Sequence, residues 1–398
     1  MARSADRDIR LLFPLPLATI ASQSSMASIP PLFVGIASSY GVSIGTVGQV
    51  RAISALTAVL ATLLVGGWIH RHGARPVMLA GGLLGAAGAA LSGLAPSLLV
   101  FGLAQAITGV GICFLLSAGF AGAGEFFASG ARDWAIGWVV ALQSLAWIVG
   151  VPLVGLLAEG FSWHYGFIVP AAFCIVAAVS ALLFAPRLDP DLRAGDERSG
   201  LLAALADRGG RMWTIGELLA FAVWTAEITY IAAFYADQFG LGEAVIGVLL
   251  PLGSLAFMVG STMARRVGAR FSRRTLLIVS TLAMGLIAAV LFGFHPMVWV
   301  TLLLAIAMGI AAGLRATGSS TLALDQLPEQ PGAMMAARTG AVQIGYLVGA
   351  FVGGVIVDSS GFGGLGLLMI VGMAASALVM SRVPTAAGSV TKKLALKR

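Results

Sequence analysis

Val65-Gly66-Gly67-Trp68-Ile69-His70-Arg71-His72-Gly73-Ala74-Arg75-Pro76 is a short charged stop between two long apolar runs. A run of about 20 apolar residues is the length that crosses a bilayer as a helix, and the runs on either side of this stop, near 43–68 and 76–95, both reach it. Outward from there the pattern repeats along the whole chain, with further spans near 11–36, 97–122, 134–158, 165–186, 214–237, 243–264, 275–294, 297–319, 336–357 and 361–381. The connections at 37–42, 96, 159–164, 238–242, 295–296 and 358–360 lack Lys and Arg. The other connections and the two termini hold Arg71, Arg75, Arg132, Arg187 to Arg211, Arg265 to Arg274, Arg338, Arg382 and the Lys392–Arg398 tail, and Arg315 lies near the same end of span ten. Of the 24 Lys and Arg residues only Arg51 breaks the alternation. Basic loops stay in the cytoplasm, so the expectation is a twelve-span all-α membrane protein with both termini cytoplasmic, in a plasma membrane of the bacterial inner-membrane kind.

Composition supports this class. The 398 residues are 59% hydrophobic and 10% charged, whereas soluble domains carry charge on about a quarter of residues. The 52 glycines suit helices that approach closely through small residues. The +7 net charge sits in basic loops facing anionic head groups, and no aromatic-basic interleaving suggests a nucleic-acid surface. Cys113 and Cys174 both fall within spans, which excludes a disulfide framework, and no Cys/His spacing resembles a metal site. Arg3, Arg7 and Arg10 before Leu11–Ile20 imitate a signal peptide in outline. The apolar run continues past signal length, however, and its removal would upset the charge alternation.

The stretch from Arg187 to Arg211 is polar, with Asp189, Asp191, Asp196, Glu197 and Asp207 among its charges. It reads as a cytoplasmic linker at 188–212, with a short amphipathic helix at 199–208, between a six-helix bundle at 1–187 and a second at 213–398 with its basic tail. The halves are related. Gly48, Arg71 and Arg75 align with Gly247, Arg270 and Arg274 at an offset of 199, and Glu125, closing span four, matches Asp325, closing span ten, at an offset of 200. Such internal duplication is typical of secondary transporters, whose substrate site lies between the repeats near the midplane.

These residues resemble the major facilitator superfamily over essentially the full chain. Its signature between spans two and three is a Gly, an Asp, then Arg-x-Gly and a basic pair; Gly66, Arg71, Gly73 and Arg75 stand at its positions, with His70 in place of Asp and Ala74 in place of a basic residue. The second copy keeps Arg270, Arg273 and Arg274 but has Ala269 and Ser272 for Asp and Gly. Gly109 and Gly111 in span four resemble an Arg-plus-Gly-x-Gly motif in which Gln105 replaces the Arg. Gly150-Val-Pro152-Leu-Val-Gly155 resembles a loose form of the antiporter motif, and Trp163-His164-Tyr165-Gly166-Phe167 resembles a sequence of the drug and sugar efflux branches. The resemblance implies two pseudo-symmetric six-helix bundles, a cavity lined by spans one, four, seven and ten, and a cytoplasmic latch pairing Arg71 with Glu125 and Arg132, and Arg270 with Asp325 and Arg338. Exposed charge pairs worth roughly 1 kcal/mol or less suit a latch that must open.

Polar residues inside the spans are the candidate site. Ser22, Gln23, Ser24, Ser25 and Ser28 crowd one stretch of span one, and such a run faces water or another helix, not lipid. Glu227, in Trp224-Thr225-Ala226-Glu227-Ile228-Thr229-Tyr230, lies roughly 20 Å into span seven at 1.5 Å per residue. An ionised carboxylate at that depth must be paired, hydrated or protonated, which makes Glu227 the candidate for carrying a coupling proton or binding a cation; a structural hydrogen bond is the alternative. Trp224 and Tyr230 share its face at three-residue spacing and would suit an amphipathic or cationic ligand. Glu217, nearer the end of span seven, is expected to stay solvated. Arg51 would snorkel outward, pair with Asp237 or Asp358, or bind a substrate anion. Gln105, Gln143, Trp147, Gln343 and Tyr346 are further cavity candidates, while His164 and His295 fall in external turns.

No nucleophile-base pair or ligand cluster supports an enzyme, no nucleotide motif supports an ATP-driven pump, and no continuous polar stripe supports a channel. The expectation is a monomeric secondary carrier without cofactor or metal, moving a small amphipathic organic solute outward by alternating access in exchange for protons. A proton-coupled importer or a uniporter of a metabolite is the alternative, because spans one to six hold no deep carboxylate. A transport-inactive receptor on the same fold is the alternative of another class.

Overall fold

A computed structural model describes residues 8–127, 129–187, 204–268, 270–327 and 331–384. The linker expected at 188–212, with its amphipathic helix, and the basic tail therefore lie largely or wholly outside the described residues. Among the described residues there is no strand, and nine helices are long and apolar enough to cross a bilayer. One of them, within Pro331–Ser381, holds two spans joined at Gly361, whose φ of 65° breaks the helix. Two further crossings are built from shorter pieces, which completes the twelve-span fold.

Span one is Pro14–Ala27 and Phe33–Tyr40 joined by the tight turn Pro30–Leu32. Pro30 and Pro31 lack the N–H that would continue the helical ladder, so the interruption follows from the sequence. Span two is Ile44–His72, span three Ala74–Gly93 and span four Leu98–Phe126. Ser43 and Ser97 cap spans two and four by accepting from the N–H of Thr46 and Val100. Span five runs through Ser129–Leu142, a π-helical turn at Ala146–Gly150 and Val151–Gly160, and span six through Trp163–Gly166 and Ile168–Phe184. Spans seven to ten are Arg208–Phe239, Glu243–Gly268, Arg273–Gly293 and Val298–Gln326. Leu63, Leu64, Leu103, Trp299 and Leu303 are exposed on these helices, as lipid-facing residues should be.

The chain divides into two compact units: Met1–Gly195 with Ile231–Pro251, and Asp196–Tyr230 with Leu252–Arg398. In the first, small residues bring backbones together. A Cβ on Gly111 would meet Gly85 N at 2.6 Å, and one on Gly88 would meet Thr108 N at 2.7 Å. The contact of spans two and four recurs in the second unit as spans eight and ten: a Cβ on Gly109 would lie 2.1 Å from Ser54 O, one on Gly309 would lie 2.6 Å from Gly253 O, and one on Gly313 would lie 2.1 Å from Phe257 O. Without a hydrophobic driving force between helices in lipid, association depends on such close packing.

The internal duplication extends to side-chain chemistry. Arg75 Nη2 donates to Leu182 O at 2.7 Å, and Arg274 Nη2 donates to Ser381 O. Both members shift by 199 residues between the copies, from 75 to 274 and from 182 to 381. In each unit, then, a guanidinium at the start of the third helix satisfies a carbonyl at the end of the sixth, where helices leave orphan acceptors.

The signature glycine Gly66 has open space where its Cβ would be, so Gly66→Ala should fold and melt like the wild-type protein. Gly109→Ala should instead push spans two and four apart and lower the detergent melting temperature or abolish folded yield, as read by size-exclusion chromatography and thermal unfolding of both variants. Equal stability of the two would refute the packing argument.

Candidate functional site

At the basic ends of the spans, the two copies close their acids differently. Gly73 adopts φ 83° and ψ 170°, a backbone region open essentially to glycine alone. The residue after it begins span three, and its N–H is free for an acceptor. Glu125 supplies that acceptor: Ala74 N donates to Glu125 Oε2 at 2.7 Å. Arg71, the expected partner of Glu125, is exposed and has no ion pair among the described residues. The His70 and Arg132 side chains lie outside the described residues.

In the second copy Ser272 replaces the glycine and caps its own helix, accepting from Thr275 N at 3.1 Å. Asp325 is thereby left to an ion pair, and its partner is Arg273 at 2.6 Å, not the expected Arg270, which is exposed. Arg338, also expected at Asp325, points elsewhere: its Nε lies 3.8 Å from Glu217 Oε1.

Glu217 is the main departure from the sequence reading. Far from being solvated, it is 0% exposed and accepts from Arg315 Nη2 at 2.7 Å and Ser319 Oγ at 2.7 Å. Arg315 is itself 1% exposed. Its guanidinium lies 5.5 Å from the centre of the Phe221 ring, and that of Arg338 lies 6.0 Å from it, both within cation–π range. The grouping follows from helix periodicity, since Glu217, Phe221 and Trp224 share one face of span seven and Arg315 and Ser319 one face of span ten. Glu217 and Arg315 each sit about 15 Å in from the basic ends of their spans at 1.5 Å per residue. That matched depth is legible in the sequence, although the alternation of basic loops alone explains Arg315 as a topology signal.

Glu227 is 5% exposed, and its carboxylate has no hydrogen bond or ion pair among the described residues. Its expected neighbours divide. Tyr230 is fully buried and donates to Ala350 O at 2.7 Å, so it fastens span seven to span eleven. Thr225 does the same by donating to Gly345 O at 2.8 Å. Trp224 is half-buried and lies near-parallel to Phe257 at 6.0 Å, with Phe221 at 5.3 Å. It therefore belongs to an aromatic group running toward the Glu217 cluster. Gln343 is buried and Tyr346 half-buried on span eleven.

In the first unit, most of the span-one serines are committed to backbone carbonyls. Ser22 donates to Ile112 O at 3.1 Å, Ser25 to Ala21 O at 3.0 Å and Ser28 to Ser25 O at 3.3 Å. Ser24 is buried and its hydroxyl has no partner among the described residues. Gln23 is half-buried and accepts from Trp147 Nε1 at 3.5 Å, at the π-helical turn of span five. This makes Gln23, Ser24 and Trp147 one group, with Gln143 half-buried one turn earlier. Gln105 is locked elsewhere: it is 1% exposed and donates to Ser92 Oγ at 3.0 Å between spans three and four. Arg51 neither snorkels nor stays exposed; it is 5% exposed and donates to Met26 O at 3.0 Å. At the other end of this unit, Glu159 Oε2 accepts from Ala244 N at 2.7 Å, where span eight begins. His164 is half-buried, its Nδ1 2.8 Å from Gly93 O.

Comparison with known proteins gives this arrangement its family. The family model described as Major Facilitator Superfamily matches residues 15–270 and 212–396. AraJ of Escherichia coli strain K12, named as a transporter, is 23% identical over 354 residues, 87% of this chain and 88% of its own. The chloramphenicol resistance protein of Streptomyces lividans is 26% identical over 383 residues, 94% of this chain and 95% of its own. Among solved structures, a D-xylose-proton symporter superposes with a TM-score of 0.77 at 13% identity, covering 95% of this chain and 98% of that one. The duplicated set of six helices and the matched family model agree, and the chain belongs to the Major Facilitator Superfamily of membrane transporters.

Proposed function

We propose that this chain is a proton-coupled carrier that exports a small amphipathic organic solute by alternating access, as a monomer in a plasma membrane, with both termini and the 188–212 segment cytoplasmic. The observation that carries the coupling is Glu227, a buried carboxyl in span seven with no polar partner among the described residues. A charge in that position is costly, so the group has reason to change protonation as its surroundings change. The export direction is supported by the name of the Streptomyces relative, a resistance protein at 26% identity, and by the efflux-like residues Trp163 and Phe167. A proton-coupled importer or a uniporter remains the second reading, favoured by the lack of a mid-span carboxylate in spans one to six.

For the substrate, the candidates of the first unit are Gln23, Ser24 and Trp147, which combine hydrogen-bonding groups with an aromatic face; the candidate of the second unit is Trp224. The latch role falls to Glu125 in the first unit and to the Arg273–Asp325 pair in the second, with Arg71, Arg75, Arg132 and Arg270 as the basic residues of the neighbouring connections in the sequence. Arg273 and Asp325 are 57% and 28% exposed, so their contact is weak and exchangeable.

Glu227→Gln mimics the neutral acid with little change in size. In proteoliposomes it should lose solute flux driven by a pH gradient while retaining substrate exchange, and Glu227→Asp should keep partial flux with an altered pH profile. Undiminished gradient-driven flux in Glu227→Gln would remove this residue from coupling. For the latch, Asp325→Arg should impair transport, and adding Arg273→Asp should recover part of it at similar expression; no recovery would leave these residues as topology signals only. Single-cysteine labelling in intact cells should reach position 242 from outside and leave position 200 unmodified, the opposite result overturning the orientation.

A further inference from the structure

The Glu217 cluster holds two positive charges and one negative charge in a helical bundle. Arg315 and Arg338 each present a planar guanidinium, and Glu217 offers a single carboxylate to both. That carboxylate is already committed through Oε2 to Arg315 and Ser319, at 2.7 Å each. Arg338 reaches only Oε1, at 3.8 Å, too long for a hydrogen bond. Three polar atoms consequently have no hydrogen bond among the described residues: Arg315 Nε, Arg338 Nε and Glu217 Oε1. Arg315 is 1% exposed, so its unmatched donor is a cost unless something else meets it. Arg338, with 30% of its side chain exposed, is the member that opens outward. Beside the cluster lie Phe221, under both guanidiniums, and the half-buried Trp224. Positive charge in excess, unmatched guanidinium donors and a flat aromatic wall are the recognition elements for an anion attached to a ring: guanidinium matches carboxylate in geometry, and an aromatic wall takes the apolar body.

We infer that Arg338 and Arg315 form a subsite for the carboxylate of an aromatic monoanion, with Glu217 as the internal anion that occupies the arginines when the solute is absent. This rests on the carrier reading and narrows its substrate to anionic amphipaths. Glu217 then competes with the solute: Arg338 turns from its distant contact with Glu217 to the incoming carboxylate, and Arg315 offers it the unmatched Nε.

Benzoate is the probe and benzyl alcohol its uncharged counterpart, titrated calorimetrically into the purified full-length chain in detergent at fixed ionic strength. Benzoate should bind saturably and benzyl alcohol should not. Glu217→Gln removes the competing charge and should tighten benzoate by roughly tenfold or more, whereas Arg338→Gln should weaken it by a similar factor. A purely structural ion pair predicts that Glu217→Gln lowers the melting temperature and leaves benzoate unchanged, which would overturn the assignment. If Glu217→Gln does not fold, the partly exposed Arg338→Gln decides alone, and unchanged benzoate affinity there rejects the subsite. Proton-driven flux of uncharged or cationic solutes without benzoate binding would likewise reject the subsite and leave the carrier reading standing. Benzoate binding without any solute flux would reject the carrier reading instead.

Discussion

In a bilayer core no water is available to hydrogen-bond a backbone, so each crossing segment must satisfy its own amides within a helix. This constraint explains both the regularity of the chain and the character of its exceptions. Where Pro30 and Pro31 interrupt span one, where span five passes through the turn at Ala146–Gly150 and where Gly361 divides spans eleven and twelve, freed or redirected backbone groups accompany candidate polar residues or a chain reversal. Hydroxyls fill much of the remaining demand: Thr57 donates to Ala106 O at 2.9 Å, Thr225 to Gly345 O and Ser376 to Gly216 O at 2.7 Å. With polar groups satisfied locally, helices pack through glycine, and the glycines of spans four and ten sit at matching places in the two units.

Against this background, charge inside the helices is the informative quantity, and the two buried acids of span seven differ in kind. Glu217 is held through Oε2 by Arg315 and Ser319; removing one member of such a pair typically costs about 3–5 kcal/mol because its partner is left buried and uncompensated. Glu227 has no comparable partner among the described residues. One acid is therefore held in an ion pair, and the other has none among the described residues. The division of labour proposed for span seven, an anion-competing site toward its basic end and a proton-carrying carboxyl deeper in, follows from that contrast.

The fold was legible because its signals are collective. Apolar run length and the alternation of basic loops place the spans, and the offset of 199 residues announces the duplication that Arg75 and Arg274 then repeat in their hydrogen bonds. The candidate site was legible only in part, because it depends on rotation about each helix and on partners distant in sequence. Tyr230 and Gln105 looked like cavity residues by type, yet one hydroxyl is committed to Ala350 O and one amide to Ser92. Glu125 and Asp325 stand at matching helix ends in the sequence, but their partners turn on local backbone: a left-handed glycine at 73 leaves an N–H for Glu125, whereas the self-capping Ser272 leaves Asp325 for Arg273. Family signatures place a loop; they do not decide which of its adjacent donors an acid meets.

The most direct test of the central claim, that this carrier couples solute movement to protons, is solute flux in proteoliposomes with an imposed pH gradient and the membrane potential clamped. The account predicts concentrative flux that follows the gradient, reverses when the gradient is reversed and collapses to equilibration when a protonophore is added. Flux that ignores both the gradient and the protonophore would contradict it and identify a uniporter.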